Sequence, residues 1–238
     1  MRLNADFRQR VLVHAAELPW VASPVTGVER RMLDRIGEEV ARATSLVRYA
    51  PGSRFSRHVH GGGEEFLVLE GVFQDEHGDY PAGSYVRNPP HSAHTPASAG
   101  GCVIFVKLWQ FDPQDWTAVV CDAYALAAQR GPAESEVTAV CLHADAYEVV
   151  TLEDWPAGVR VDRALPAGAE VLVLTGALQL ADSDDGPRVG LAPGGETMRP
   201  QSWLRHPPGS RLRAVAGPQG CRLWCKAGHL QAMLQAPD

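Results

Sequence analysis

RYAPGSRFSRHVHGGGEEFLVLEGVFQ, residues 48–74, is the stretch on which the reading of both fold and chemistry turns. His58 and His60 are two apart, so on a strand both side chains project to the same face. Glycines 61–63 then supply a tight turn, and EEFLVLE reads as the next strand, which brings Glu64 back opposite the histidines. Further on, NPPHSAH (88–94) sets His94 past a proline turn, on another strand. Four ligand-type side chains from three segments, converging inside a barrel, can form one metal site. Imidazole suits zinc, iron, nickel and copper, and the carboxylate widens the choice to manganese.

The same wording returns later in the chain. GGGEEFLVLEGVFQ, from Gly61, is echoed by PAGAEVLVLTGALQ from Pro166; NPPHSAH by HPPGSRL from His206; GCVIFVK, from Gly101, by GCRLWCK from Gly220. Asp6-Phe7 and Asp115-Trp116 open comparable stretches upstream. The matched segments keep their order, so two copies of one β unit are expected, over 1–113 and 114–238. FDPQD, 111–115, is the expected junction, since Pro113 cannot donate to a ladder and Asp favours a turn. Apolar runs at 43–49, 65–69, 102–109, 170–174 and 222–226, separated by glycine and proline turns, read as strands of a sandwich or barrel. Helix is scarce, with 29–35 and 122–129 as candidates for a turn or two.

The spacing resembles the cupin signature. Its first part, G-x5-H-x-H-x3-E-x6-G, is met by Gly52, His58, His60, Glu64 and Gly71; its second by Gly83, Pro89 and His94. The second part departs at His91, where the pattern has Gly, and at Ser98, where it has Asn. The wording around both motifs is similar to the ChrR-type cupin-like family, over both halves. The resemblance implies an all-β chain of two tandem cupin barrels. It also implies that His58, His60, Glu64 and His94 hold one divalent transition metal per chain, iron or zinc first, with manganese or nickel as alternatives. The second copy is expected to be a degenerate barrel. The places of His58 and His60 fall among Arg163, Ala164, Leu165 and Pro166, that of His94 becomes Leu212, and Glu170 remains as a lone carboxylate.

Other features read more plainly. His91 replaces a turn glycine, which calls for a positive φ; it is a candidate catalytic acid/base or fifth ligand, with a place at the rim as the simpler reading. Glu65 alternates to the face opposite Glu64. Phe66, Val68 and Tyr49 are candidate barrel walls. His77 reads as a solvated turn residue, and His14, His143, His206 and His229 have no partner pattern. Among five cysteines, Cys221 and Cys225 share a strand face and read as buried thiols; the odd number fits a reducing cytoplasm. Asp182, Asp184 and Asp185 read as an acidic hairpin turn rather than a calcium loop. The scattered tryptophans read as core.

Composition narrows the partners. The 238 residues are 45% hydrophobic and 21% charged, with a net charge of −6, the profile of an ordinary soluble protein. The acidic balance disfavours nucleic acid, and no apolar run reaches membrane-spanning or signal-peptide length. A small-molecule substrate and homo-oligomers are expected partners. Functionally the resemblance divides. Stand-alone relatives are metal-dependent dioxygenases, which implies oxygenase chemistry on a small oxygenated compound. Other ChrR-like cupins are the zinc-binding sensor lobe of an anti-sigma factor, which implies a sigma factor as partner. O2-independent cupin lyases or isomerases form a third class.

Overall fold

Short apolar runs between glycine and proline turns satisfy their backbone N–H and C=O groups by pairing edge to edge. The computed structural model describes residues 1–130, 136–181 and 196–233, and almost all of its regular structure is antiparallel strand. The chain divides into two compact units: Met1–Ala5 with Leu18–Leu126, and Asp6–Glu17 with Ala127–Asp238. The internal repeat predicts one cut after residue 113; strand pairing distributes the chain differently. Val11–His14 lies beside Ser202–His206 in the rear unit, and Val119–Asp122 lies beside Ser84–Asn88 in the front unit.

In the front unit the main sheet runs Arg2–Leu3, Val28–Gly37, Ala41–Tyr49, Cys102–Leu108, Glu64–Asp75, Ser84–Asn88, Val119–Asp122. Its inner face carries the core, with Val28, Val47, Tyr49, Phe66, Val68, Phe73, Ile104 and Val106 buried together. His58–Val59 and Ala93–His94 form a separate two-stranded ladder. The expected helical turn at 29–35 is instead strand, pairing with Ala41–Tyr49 across a bulge at Leu33. Glu, Arg, Met and Leu favour helix weakly, and pairing with a neighbouring apolar strand overrides that preference. A helix does form at Ala123–Ala128.

The rear unit repeats the plan. Its sheet runs Thr138–Ala144, Val149–Trp155, Ser210–Ala227, Ala169–Leu180, Ser202–His206, Val11–His14, with Arg160–Leu165 also paired to Ser210–Ala227. Cys221 and Cys225 sit in its core, and burial pushes both thiols up, Cys221 to about 12. All five cysteines are free. Trp155, Trp203 and Trp224 are buried, whereas Trp109 and Trp116 are exposed, so the tryptophans are not uniformly core. Asp182, Asp184 and Asp185 lie outside the described residues. No helix among the described residues is long and apolar enough to cross a membrane.

Two details fix the repeat at atomic level. Glu64–Asp75 carries a bulge at Leu69, because Val103 pairs with Glu70 and Ile104 with Val68; Ala169–Leu180 carries one at Leu174, because Leu223 pairs with Val173 and Arg222 with Thr175. Just beyond, Gly71 (φ +71°) and Gly176 (φ +73°) pass so close to the neighbouring strand that a Cβ would lie 2.1 Å from the Gly101 and Gly220 carbonyl oxygens. Gly71→Ala and Gly176→Ala should each destabilise the chain by on the order of 2–4 kcal/mol in urea denaturation. A wild-type midpoint for either would show that the bulged turn is not needed.

Candidate metal centre

The paired ladder aims the histidines. His58 lies directly opposite His94, and Val59 opposite Ala93. The backbone of His60 is clamped to the following turn: its N–H donates to Ser92 O (2.9 Å) and its carbonyl accepts from His91 N–H (2.7 Å). One ring nitrogen from each of His58, His60 and His94 lies within 4.8 Å of the others. Glu64 enters from the Glu64–Asp75 strand, its Oε2 being 3.5 Å from His60 Nε2 and 3.4 Å from His94 Nε2. The structure therefore brings all four expected residues to one point.

The donor atoms suit an ion. Nε2 of His60 and of His94 are buried with no hydrogen-bond partner, an expensive state unless something else bonds them. Two donors each about 2.1 Å from one ion, at roughly 90–110°, lie about 3.0–3.4 Å apart, close to the separations observed here. The outer ring atoms are tied: His58 Nδ1 donates to Ser56 O (3.0 Å), and His94 Nδ1 lies 3.1 Å from Asp75 Oδ2. A carbonyl can only accept, so His58 carries its proton on Nδ1 and turns Nε2 inward as a lone pair; a carboxylate at His94 has the same effect. Asn88 Nδ2 donates to Glu64 Oε2 (3.2 Å). Burial lowers His60 to about 4, with His58 adding to the effect, and burial likewise lowers His94. Both rings are thus neutral and able to ligate near pH 7. Burial raises Glu64, partly offset by His94.

Asp75 gives no sign of this role in the sequence. Strict alternation from inward-facing Glu64 would turn it outward, and the Leu69 bulge reverses that parity. Other expectations sort as follows. His91 has φ +67°, as its glycine position requires, but it is exposed and stacked on Trp116 at 5.7 Å between centroids. Its ring does not line the cavity beside the histidines, which puts the catalytic candidate at the rim. That cavity, about 330 Å³, is lined by His58, His60 and Glu64 together with Tyr49, Phe55, Ile104, Val106 and Trp109. Tyr49 is a wall as expected, whereas Phe66 and Val68 pack in the core behind it. Trp109 lies over Gly61 and Gly62, where a Cβ would be 2.8 and 2.5 Å from it. His77 is exposed in its turn.

Among the described residues the rear unit has no counterpart of this four-residue cluster. Arg163 pairs with Leu212 as His58 pairs with His94. Leu165, Ala169 and Leu212 fill the space as buried core, and Arg163 binds Glu153 at 2.8 and 2.9 Å. Ala169 stands in the place of Glu64. Glu170, read from the sequence as the surviving ligand carboxylate, is the counterpart of Glu65 instead. Glu65 accepts from Tyr85 Oη (2.6 Å), and Glu170 from Trp203 Nε1 (3.1 Å) with His229 Nε2 at 2.9 Å.

His94→Ala should remove most bound metal and leave a folded protein, and Asp75→Asn should weaken metal binding by about 10–100-fold. Leu212→Ala should leave metal content unchanged; titration with a chromophoric chelator checks all three. A second test uses pH. His60 and His206, in different units, are each lowered to about 4, chiefly by burial. The unfolded chain therefore binds protons first, so stability is full above about pH 6.5 and is lost as pH falls from there toward 4. His206→Gln should remove on the order of 1–3 kcal/mol of that loss from the metal-free protein, measured by urea denaturation at pH 7 and 5. An unchanged pH dependence would contradict it.

Comparison with known proteins agrees with this geometry. Residues 8–112 match the family model of the ChrR cupin-like domain. Comparison with curated proteins found no match. Among solved structures, a candidate dioxygenase from Nostoc punctiforme superposes with a TM-score of 0.69 at 15% identity, covering 94% of this chain and 84% of that one. Protein Ylba from E. coli gives 0.66 at 14% identity, covering 94% and 93%. The bacterial pirin YhhW of Escherichia coli, in complex with nickel(II), gives 0.62 at 11% identity, covering 92% and 98%. At these identities the likeness shows the fold: the chain has the fold of cupin proteins, and its residues 8–112 match the ChrR cupin-like domain.

Proposed function

We propose that this bicupin binds one divalent transition metal through His58, His60, Glu64 and His94 and works as a mononuclear metal-dependent dioxygenase on a small oxygenated compound. The observation that carries the reading is the cavity: His58, His60 and Glu64 line a space of about 330 Å³ instead of closing on themselves. A structural site is closed by its four protein ligands, whereas a reactive one keeps room beside them. The nickel(II) of the pirin and the dioxygenase description of the Nostoc protein are compatible with this and do not choose the ion.

A bound ion would supply Lewis acidity and, as iron, redox chemistry toward dioxygen. The protein's own groups do the rest. Asp75 holds the His94 ring in orientation, Ser56 O does the same for His58, and Asn88 steadies Glu64. Val47, Ile104, Val106 and Leu108 give the cavity an apolar wall. Tyr49 lines it too; burial and the nearby Glu64 charge raise its phenol well above the usual range, so it stays protonated and available as a hydrogen-bond donor.

The test is anaerobic iron(II) loading followed by oxygen-electrode assays on a panel of β-diketones and hydroxy-ketones. The proposal expects substrate-dependent O2 uptake that is lost in His58→Ala. Substrate consumption at the same rate without O2 would replace it with lyase or isomerase chemistry. No turnover with iron, manganese, nickel or zinc would favour the zinc-sensor role.

A further inference from the structure

The cavity contains one basic residue that neither the fold nor the metal centre accounts for. Arg30 lies in Val28–Gly37, opposite Val47 and two residues from buried Val28, and its side chain lines the cavity wall. Its Nε is buried and has no hydrogen-bond partner. Among the described residues Arg30 also forms no ion pair and no ring contact, whereas each neighbouring arginine is engaged by one partner or another. Arg48 bonds Glu29, Arg42 lies 3.5 Å from Asp34, Arg31 packs over Trp20 at 4.3 Å, and Arg35 bonds the Glu38 carbonyl. Glu39, at the same mouth, is exposed and is not paired with it.

An unpaired guanidinium half-buried beside valines, Ile104 and Phe55 is costly to keep. The cost is recovered when a ligand brings the missing anion. The planar guanidinium fork suits a carboxylate held by two parallel hydrogen bonds. We propose that Arg30 is a substrate-recognition residue that binds the carboxylate of a small acid. The apolar, ring-sized body of that acid lies against Phe55, Val47 and Ile104, with its far end toward His58, His60 and Glu64. This rests on the reading of the cavity as the substrate site and adds the substrate class to it.

The test uses the full chain, metal-free and zinc-loaded, in calorimetric titrations with benzoate and phenylacetate, their neutral amides benzamide and phenylacetamide, and phenyl phosphate. Metal-free wild type should bind at least one acid about tenfold or more tightly than its amide. Arg30→Gln should abolish that preference, and Arg30→Lys should keep part of it. Equal binding of acid and amide, or a preference that survives Arg30→Gln, overturns the proposal. Tighter binding of phenyl phosphate than of either acid overturns the carboxylate assignment. Should Arg30→Gln fail to fold, the acid–amide comparison in wild type and Arg30→Lys decides. Elemental analysis of the same samples separates the two readings: absence of metal uptake counts against the metal centre, while the acid preference of metal-free protein is judged independently.

Discussion

Two buried ring nitrogens, Nε2 of His60 and of His94, make no hydrogen bond, although the Glu64 carboxylate stands 3.4–3.5 Å from both. Nearly every buried polar atom in a folded chain has a partner, because an orphan costs the full desolvation of the group. Here the surrounding structure is arranged to keep the orphans in place. The ladder pairs His58 with His94, the turn after Pro89 grips the His60 backbone, and Asp75 and Ser56 occupy the outer ring nitrogens. Remove the need for a shared point among the four side chains, and this local construction has no evident purpose. The rear unit illustrates the alternative. With Leu165, Ala169 and Leu212 at the matching positions, the same architecture fills with core.

What the two units share is therefore not the centre but its support. Glu65, Tyr85, Arg87 and Lys107 in front are matched by Glu170, Trp203, Arg205 and Lys226 behind, all buried, on the sheet faces opposite the two cores. Arg87 stacks on Phe111 at 4.2 Å, and Arg205 on Phe7 at 4.3 Å. Buried charges of this kind must stay paired, so removing one partner is far more damaging than losing a surface contact. The bulges at Leu69 and Leu174 and the close-packed glycines Gly71 and Gly176 repeat as well. A duplicated frame in which, among the described residues, only one interior gathers ligand-type side chains is the simplest physical description of the chain.

Much of this was legible in the sequence because it rests on short-range spacing. Two histidines two apart, a glycine turn and a carboxylate specify a local geometry that any antiparallel pairing preserves. His91 announced its positive φ by standing where a glycine is expected. What escaped depended on register. Asp75 and the true counterpart of Glu170 are set by where a strand bulges, and one extra residue reverses which face a side chain takes. The strand at Val28–Gly37 was read as partly helical, so Arg30 could not be placed inside the barrel. The exchange of Val11–His14 with the rear sheet is a long-range pairing that no local pattern encodes.

The most direct test of the account is anomalous diffraction at the metal edges from crystals of untagged, metal-loaded protein. It predicts one peak per chain, within bonding distance of the three imidazoles and Glu64, and none in the space enclosed by Leu165, Ala169 and Leu212. A peak in the rear unit, or a loaded crystal with the four front side chains turned away from the ion, would contradict it.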